Sequence, residues 1–307
     1  MRKKQLNVPA ALAGAALLAC AVAVPSVGQA PPPTRQGYVT VPGARLYYEE
    51  AGRGPAVVLI HGGYLDHRLW DHEFQWLARD YRGVRYDVRA HGLSQTEAGS
   101  WSDYEDLRAL LDSLRIERAA LVGHSLGGRI AADFALAYPG RVSALVFMGP
   151  GLSGAPFGSD QIRAFTAEMR QALGGQTFGP REFSRLIEVF AHWWCDGPSR
   201  APSAVDPAVR AKVLAMLAGS GQRWRLGDGS ELEPPAWGRL REIRAPTLAV
   251  AGALDVVDIL EIVDSIAAQL PGARRVVIQG AAHVVNLEKP VEFEAAVRPF
   301  LAEHLRR

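Results

Sequence analysis

Residues 119–128 read AALVGHSLGG, a short apolar run that leads into a serine with a glycine two positions before it and another two positions after it. The stretch that follows, GRIAADFALAYP at 128–139, has the spacing of a helix. A serine in a tight turn between a strand and a helix is presented as a nucleophile, and glycine is needed where backbone segments crowd. Ser125 is therefore a candidate nucleophile, although glycine and serine also occur together in ordinary turns.

Short apolar runs alternate with helical patterns on both sides of this turn. Continuous apolar runs favour strands buried on both faces, and their alternation with helices favours a mostly parallel sheet covered on both sides. A hairpin is indicated at 38–52, where two extended stretches flank Pro42-Gly43. Together with this hairpin, six runs predict a doubly wound α/β fold with an eight-stranded sheet: 57–60, 84–88, 119–123, 144–149, 247–252 and 275–280.

The alternation stops between Pro150 and about Arg244. Three stretches there, 161–173, 181–196 and 207–217, place apolar residues at helical spacing, and no strong strand pattern interrupts them. A loop of this length without structure of its own would be unusual inside a domain. We therefore predict a helical cap at 151–244, inserted into an α/β core made of residues 31–150 and 245–307.

The N-terminus has the composition of an export signal. Arg2, Lys3 and Lys4 precede an apolar stretch at 10–24, and small residues follow in PSVGQA at 25–30. This order is typical of a secretory signal peptide, so residues 1–30 are expected to be removed and the protein to be periplasmic or secreted. The alternative is a lipoprotein signal that leaves a lipid anchor on Cys20.

The charge of the chain gives no support for nucleic-acid binding. Removal of residues 1–30 takes away three positive charges and no negative one, so the formal net charge falls from +2 to −1. A near-neutral chain has no electrostatic attraction for a polyanion, and membrane contact is expected only through a lipid at Cys20. The remaining cysteine, Cys195, has no partner for an internal disulfide and is expected to fill apolar space.

Five motifs in order carry a resemblance to a known family. They are HGGYLDHRLW at 61–70, DVRAHGLS at 87–94, GHSLGG at 123–128, GALDVV at 252–257 and GAAHVVNLEKPVEFEAAVRPFL at 280–301. The chain resembles the α/β-hydrolase superfamily over nearly all of residues 31–307, with Ala90 where that family usually has glycine. The presence of a cap makes it similar to the branch that includes enol-lactonases and carboxylesterases.

The resemblance implies a catalytic triad. Ser125 would be the nucleophile, His283 the general base and Asp255 the acid that orients the histidine, in the chain order that this fold uses. Asp255 and His283 both follow predicted strands, so they are expected at the same edge of the sheet as Ser125. Asp258 is a second candidate for the acid.

The resemblance also implies an oxyanion hole formed by backbone N–H groups. The donors would be Leu126 and Gly63, with Tyr64 as the alternative to Gly63. Tyr64, His124 and Trp194 are the candidates for the lining of the substrate pocket. Trp193 and Trp194 are adjacent on a predicted helix, and the sequence does not decide which of them faces the pocket.

These features predict a serine hydrolase that acts on a small or medium ester or lactone through an acyl-enzyme. Carbon–carbon bond hydrolases, perhydrolases and amidases share the same triad and remain alternatives, as does a non-catalytic ligand-binding protein of this fold. No cofactor is expected. No metal is expected either, because HEFQW at 72–76 lacks a second histidine at ligand spacing.

Overall fold

A mixed β-sheet runs through the part of the chain that the computed structural model describes, residues 33–174 and 179–305. Its strands are β1 (Arg35–Val41), β2 (Ala44–Ala51), β3 (Ala56–Ile60), β4 (Arg82–Tyr86), β5 (Gln95–Thr96), β6 (Ala119–His124), β7 (Val142–Met148), β8 (Thr247–Gly252) and β9 (Arg274–Ile278). Eight of them lie in the order β1-β2-β4-β3-β6-β7-β8-β9, and the two-residue β5 pairs with β2. The predicted α/β fold with a mostly parallel sheet is confirmed.

The sheet is antiparallel at one end and parallel elsewhere. β1 and β2 form the predicted hairpin, in which Val41 pairs with Ala44 across a turn that places Gly43 at φ 71°. β2 is also antiparallel to β4, whereas all pairs from β4 through β9 are parallel. The carboxyl ends of β3, β6, β7, β8 and β9 therefore meet at one edge, where their loops gather.

Helices cover both faces of the sheet. They are α1 (Asp71–Asp80), α2 (Asp103–Ser113), α3 (Leu126–Ala137), α4 (Asp160–Leu173), α5 (Pro180–Ala191), α6 (Pro207–Ala218), α7 (Gly221–Leu226), α8 (Val257–Gln269), α9 (Val285–Glu288) and α10 (Pro290–His304). Along β3, Val58 and Ile60 pack into the core under α2, α3 and α8, whereas Val57 and Leu59 pack into the core under α1 and α10. Because alternate residues of a strand point to opposite faces, a continuous apolar strand fills both cores.

The predicted strand at 84–88 lies two residues earlier, at Arg82–Tyr86. Asp87 follows the last strand residue, and its carboxylate accepts hydrogen bonds from the backbone N–H groups of His67 and Leu93, both at 2.7 Å. The apolar pattern of VRYDV includes Val88, which is buried but belongs to the turn after the strand. The predicted strand was placed too late because Val88 is buried without belonging to a strand.

Between β7 and β8, the described residues form helices and no strand. α4, α5 and α6 coincide with the three predicted helical stretches, and α5 continues into a π-helical turn at His192–Asp196. The sequence did not predict α7, which has six residues. We refer to residues 151–244 as the insertion.

The predicted signal peptide, residues 1–30, lies outside the described residues, and so does Cys20 as the alternative site of lipid attachment. Within 33–174 and 179–305, no helix has both the length and the apolar character needed to cross a membrane.

Candidate active site

Ser125 lies in the turn between β6 and α3 with φ 51° and ψ −113°. A positive φ is strained for serine, and here the backbone holds it, with the Ser125 N–H donating to the carbonyl of Met148 at 3.1 Å. A Cβ at Gly123 would lie 2.3 Å from the carbonyl oxygen of Gly127, and one at Gly127 would lie 2.2 Å from that of Ile60. The two glycines therefore let α3 begin directly against the strands, with the serine at the turn.

His283 and Asp255 lie in the loops after β9 and β8 and are joined by a hydrogen bond. His283 Nδ1 is 2.8 Å from Asp255 Oδ2, and both side chains are buried. Asp255 Oδ1 accepts the N–H of Val256 at 2.8 Å. With Nδ1–H donated to the carboxylate, the other ring nitrogen, Nε2, carries the lone pair that a general base needs.

A glycine after β7 makes room for this pair. A Cβ at Gly149 would lie 2.9 Å from His283 Nδ1 and 3.2 Å from Asp255 Oδ2. His283 and Ser125 both line one cavity. The structure thus brings together three side chains from three different loops at the carboxyl edge of the parallel strands.

Two backbone segments near Ser125 carry the N–H groups that are candidates for the oxyanion hole. Leu126 is the first residue of α3, where an N–H has no acceptor within the helix. Gly63 lies beside it, since a Cβ at Gly63 would be 3.8 Å from the Cβ of Leu126. Tyr64 has φ 63°, which reverses the chain next to Gly63. Both expected donors and the alternative Tyr64 line the cavity.

His124 supports the loop that carries His283. Its Nε2 is 3.1 Å from the carbonyl oxygen of His283, and the two rings lie 4.5 Å apart. Burial lowers the pKa of His124 well below its ordinary value, so the ring is neutral and Nε2–H is the donor to that carbonyl. Nδ1 is then a buried acceptor without a hydrogen-bond partner.

The cavity beside Ser125 has a volume of about 200 Å³ and a mostly apolar wall. The wall contains all three predicted pocket residues, Tyr64, His124 and Trp194. It also contains residues of the insertion that the sequence did not single out for the pocket: Phe165, Phe190, Val213, Arg223 and Asp228. Phe190 is four residues before Trp194, a spacing that places both on one side of a helix and was a usable signal.

The two adjacent tryptophans have different surroundings. The ring of Trp194 lies 4.7 Å from the ring of His283 and in the cavity wall. Trp193 packs against Val256 and Ile259, and its Nε1–H donates to Glu168 at 3.0 Å. Trp194 is thus the one that a bound molecule would touch.

Asp258, the second candidate acid, faces away from His283. Its Oδ1 accepts the N–H groups of Gly158 and Ser159 at 2.9 and 3.1 Å, and its Oδ2 accepts the Ser159 hydroxyl. Asp258 therefore anchors the start of α4, while Asp255 is the carboxylate in contact with the histidine.

The insertion is connected to the loop of His283 by an ion pair. Arg200 Nη2 donates to Glu288 Oε2 at 2.7 Å, and Glu288 Oε1 accepts the N–H of Ala282 at 2.7 Å. Arg200 also donates to the carbonyl of Cys195, whose side chain is buried. Burial raises the pKa of the Cys195 thiol to about 12, which keeps it protonated and unreactive.

Asp66, His67 and Asp87 form a second cluster of polar side chains outside the cavity. Ligand atoms of Asp66, His67 and Asp87 lie within 4.8 Å of one another, a spacing that a metal ion would accept. Asp66 is occupied by Arg68, which donates to it from its backbone N–H, Nε and Nη2. Asp87 accepts from both the N–H and the Nδ1 of His67. Protein donors thus fill the carboxylate positions that a cation would need.

Three known enzymes are similar to this chain over most of its length. A 2-hydroxy-6-oxononadienedioate/2-hydroxy-6-oxononatrienedioate hydrolase from Paraburkholderia phymatum is 29% identical over 274 residues, 84% of this chain and 91% of that one. A solved thermophilic esterase from Thermogutta terrifontis is 25% identical with a TM-score of 0.72, and covers 89% of this chain and 100% of its own. A solved N-acyl homoserine lactone degrading enzyme is 26% identical with a TM-score of 0.70, and covers 86% and 100%.

The family model described as the alpha/beta hydrolase fold matches residues 55–290, most of the chain. This match confirms the resemblance drawn from the five motifs. The relatives named above are a hydrolase, an esterase and a lactone-degrading enzyme, and they confirm the prediction that the protein is an enzyme. The chain belongs to the alpha/beta hydrolase fold family.

Proposed function

We propose that the protein hydrolyses small or medium carboxylic esters or lactones through Ser125, His283 and Asp255. The observation that carries this proposal is the 2.8 Å contact between His283 Nδ1 and Asp255 Oδ2, together with the cavity that His283 and the strained Ser125 both line. The esterase and the lactone-degrading enzyme among the relatives support the same class of substrate.

The reaction begins with attack of Ser125 Oγ on the carbonyl carbon of the substrate. His283 Nε2 takes the hydroxyl proton, and Asp255 holds the ring in the required tautomer and stabilises the imidazolium that forms. Collapse of the tetrahedral intermediate expels the alcohol, or opens the lactone ring, as His283 returns the proton to the leaving oxygen. A water molecule then attacks the acyl-enzyme by the same route and releases the acid.

The negative charge of the tetrahedral intermediate needs donors that are already in position. The N–H groups of Leu126 and Gly63 are assigned this role, with Tyr64 as the alternative second donor. Removal of one such donor typically costs about 3 kcal/mol of transition-state stabilisation. Because α3 starts at Leu126, the partial positive charge of its N-terminus adds to the same effect.

The acyl or alcohol part of the substrate is assigned to the cavity wall of Tyr64, His124 and Trp194. Tyr64 packs edge-to-face against Phe190 with ring centres 4.9 Å apart, and Trp194 lies beside His283. A mostly apolar wall around a volume of about 200 Å³ favours a compact group over a long acyl chain.

The test is hydrolysis of p-nitrophenyl esters from C2 to C12 and of simple lactones by the chain from residue 31 onward. We expect turnover of short and medium esters, and a fall of kcat/KM by at least about 10⁴-fold in Ser125→Ala and His283→Ala. Ser184→Ala, on the exposed side of α5, is the control for the loss of a hydroxyl. Equal activity of the wild type and Ser125→Ala would exclude the assigned nucleophile.

A carbon–carbon bond hydrolase is the second candidate, because the relative from Paraburkholderia phymatum carries that kind of name. The same assay therefore includes a 2-hydroxy-6-oxo-dienoate, whose cleavage is followed by the loss of its absorbance. We expect kcat/KM to be higher for the best ester or lactone. The opposite order would move the assignment to carbon–carbon cleavage on the same triad.

The N-terminal sequence supports a proposal on location, namely that residues 1–30 direct export and are removed. Intact mass of the protein recovered from a periplasmic or culture fraction is expected to begin after Gly28 or Ala30. A lipid-modified N-terminus at Cys20, lost in Cys20→Ser, would instead assign the protein to the lipoproteins.

A further inference from the structure

Arg223 is a buried cation in the wall of the cavity that contains Ser125. Its residue exposure is 2%, and it lies on α7, the helix that the sequence did not predict. Burial lowers the pKa of its guanidinium, because the charged form loses hydration there. Arginine is seldom fully buried unless its donors are paired.

The donors of Arg223 are only partly satisfied. Nη1 donates to the carbonyl of Gly227 at 2.5 Å, and Nη2 contacts Asp228. Nε is buried and has no hydrogen-bond partner. The Nε and Nη2 atoms form the edge of the guanidinium that holds a carboxylate with two parallel hydrogen bonds, so this edge is half used.

Asp228 is a weak partner for this edge. Its side chain is 62% exposed, whereas that of Arg223 is 2% exposed, so the carboxylate keeps most of its hydration. In the described part of the chain, Asp228 is the one acidic group with an ion pair to Arg223. The nearby Asp103 is already bound by Arg129 at 3.1 Å and by Trp101 at 2.8 Å.

We propose that Arg223 binds a carboxylate of the substrate, which makes the preferred substrate an ester or lactone that carries a second, anionic carboxyl group. This inference rests on the proposed function, whose reacting atoms lie in the same cavity. The incoming carboxylate takes the Nε and Nη2 edge in two hydrogen bonds, and Asp228 moves into solvent. Asp228 therefore competes with the substrate for Arg223.

The experiment compares monoethyl adipate, which carries a carboxylate, with ethyl hexanoate, which has the same acyl length without it. The quantity measured is the ratio of their kcat/KM values. We expect the wild type to prefer the half-ester, and Arg223→Met to lower the ratio by about 10- to 100-fold, the range for loss of a charged hydrogen-bonding partner. Arg225→Met, on the exposed side of the same helix, should keep the wild-type ratio.

Two further variants separate binding from folding. Arg223→Lys keeps the charge but not the planar fork, so its ratio should lie between those of wild type and Arg223→Met. Asp228→Asn changes an exposed side chain and should raise the ratio by about threefold, because the competing anion is gone. Both variants decide the matter if Arg223→Met does not fold.

A calorimetric titration of adipate into Ser125→Ala tests the inference without turnover. Adipate should bind to Ser125→Ala. Binding should be lost when Arg223→Met is added and weakened when Arg223→Lys is added instead. Turnover of ethyl hexanoate with an unchanged ratio in the Arg223 variants would overturn the inference and leave the proposed function intact. Turnover of neither ester would overturn the proposed function, and the adipate titration would then decide the inference by itself.

Discussion

Ser125 and Trp194 lie in the wall of the same cavity, but the chain holds them by different means. Ser125 is positioned by the backbone. It has a positive φ, and its turn contains two glycines without room for a Cβ that lie against the ends of neighbouring segments. Trp194 is positioned by other side chains, with the rings of Phe165, Phe190 and His283 as its neighbours. The edge of the sheet therefore holds its part of the cavity through the backbone, whereas the insertion holds its part through contacts between side chains.

This difference suggests a division of roles, with the sheet edge serving the chemical step and the insertion serving the choice of substrate. A reacting group must be held within a fraction of an ångström, and the ends of parallel strands give that precision. An apolar wall needs only the right volume, which several combinations of side chains supply. Substitutions at the sheet edge should therefore abolish the reaction, whereas substitutions in the insertion should change which substrate is used.

After the nucleophile and the base, the largest effect is expected at Asp255. Asp255→Asn removes the acceptor that fixes the tautomer of His283, so kcat/KM for a short ester should fall by about 10⁴-fold. Asp258→Asn is the matched control three residues away, and we expect less than about a tenfold change because that carboxylate anchors α4. Ester kinetics on both variants checks the pair. Reversed effects would move the acid to Asp258.

Gly127→Ala should be the most damaging small change at the sheet edge. The added Cβ would lie 2.2 Å from the carbonyl oxygen of Ile60 in β3, a backbone atom that cannot move aside cheaply. We expect a loss of about 3 kcal/mol or more in the free energy of unfolding. Urea denaturation measures it.

Gly140→Ala is the control for that experiment, because a Cβ there would meet nothing within 4 Å. Its free energy of unfolding should stay within about 0.5 kcal/mol of the wild type. Equal stability of the Gly127 and Gly140 variants would mean that close backbone approach does not fix the turn.

The sheet edge could be predicted from the sequence because its constraints are local. In the sequence, Gly123 and Gly127 indicate a position where two backbone segments lie close together. The apolar runs before Asp255 and His283 indicate where the chain leaves the sheet. A strand buried on both faces has one sequence signature, so the order of elements follows from it. The error at 84–88 arose because Val88 is buried without belonging to a strand.

The insertion could be predicted only as a set of helices. Helical spacing shows which residues share a face but not what that face contacts. Arg223 and Asp228 line the same cavity as Ser125, and a six-residue helix such as α7 is too short for a periodic pattern to predict this. The pairing of Trp194 with His283 likewise depends on how α5 is placed over the sheet.

A buried carboxyl on α1 gives a prediction on pH. Glu73 is buried, and burial raises the pKa of its carboxyl from 4.5 to about 7, although Asn286 donates to it at 2.9 Å. The native state then binds the proton more tightly than the unfolded chain, so stability falls as pH rises from 4.5 to 7. Glu73→Gln removes this loss and should stabilise the protein by up to about 3 kcal/mol near pH 8, with little gain near pH 4.5.

Urea denaturation at several pH values measures this effect, with Glu261→Gln on the exposed side of α8 as the control. The control shows how much the loss of one exposed carboxyl changes the free energy of unfolding. A gain for Glu73→Gln that is constant across the range would show that the pKa of this carboxyl is the same in the native and unfolded states.

The smallest effect is expected from the tryptophan that faces the cavity. Trp194→Ala enlarges the cavity beside His283, so the ester with the highest kcat/KM should become longer by a few carbons. The ratio of kcat/KM for long esters to that for short esters should change by about tenfold. Trp193→Ala should leave that ratio unchanged and instead lower the free energy of unfolding by about 3 kcal/mol, because its ring packs on Val256 and Ile259. The p-nitrophenyl series and thermal unfolding together separate the two. If Trp193→Ala shifts the chain-length optimum and Trp194→Ala does not, the insertion is placed over the sheet differently, and the cavity wall must be reassigned.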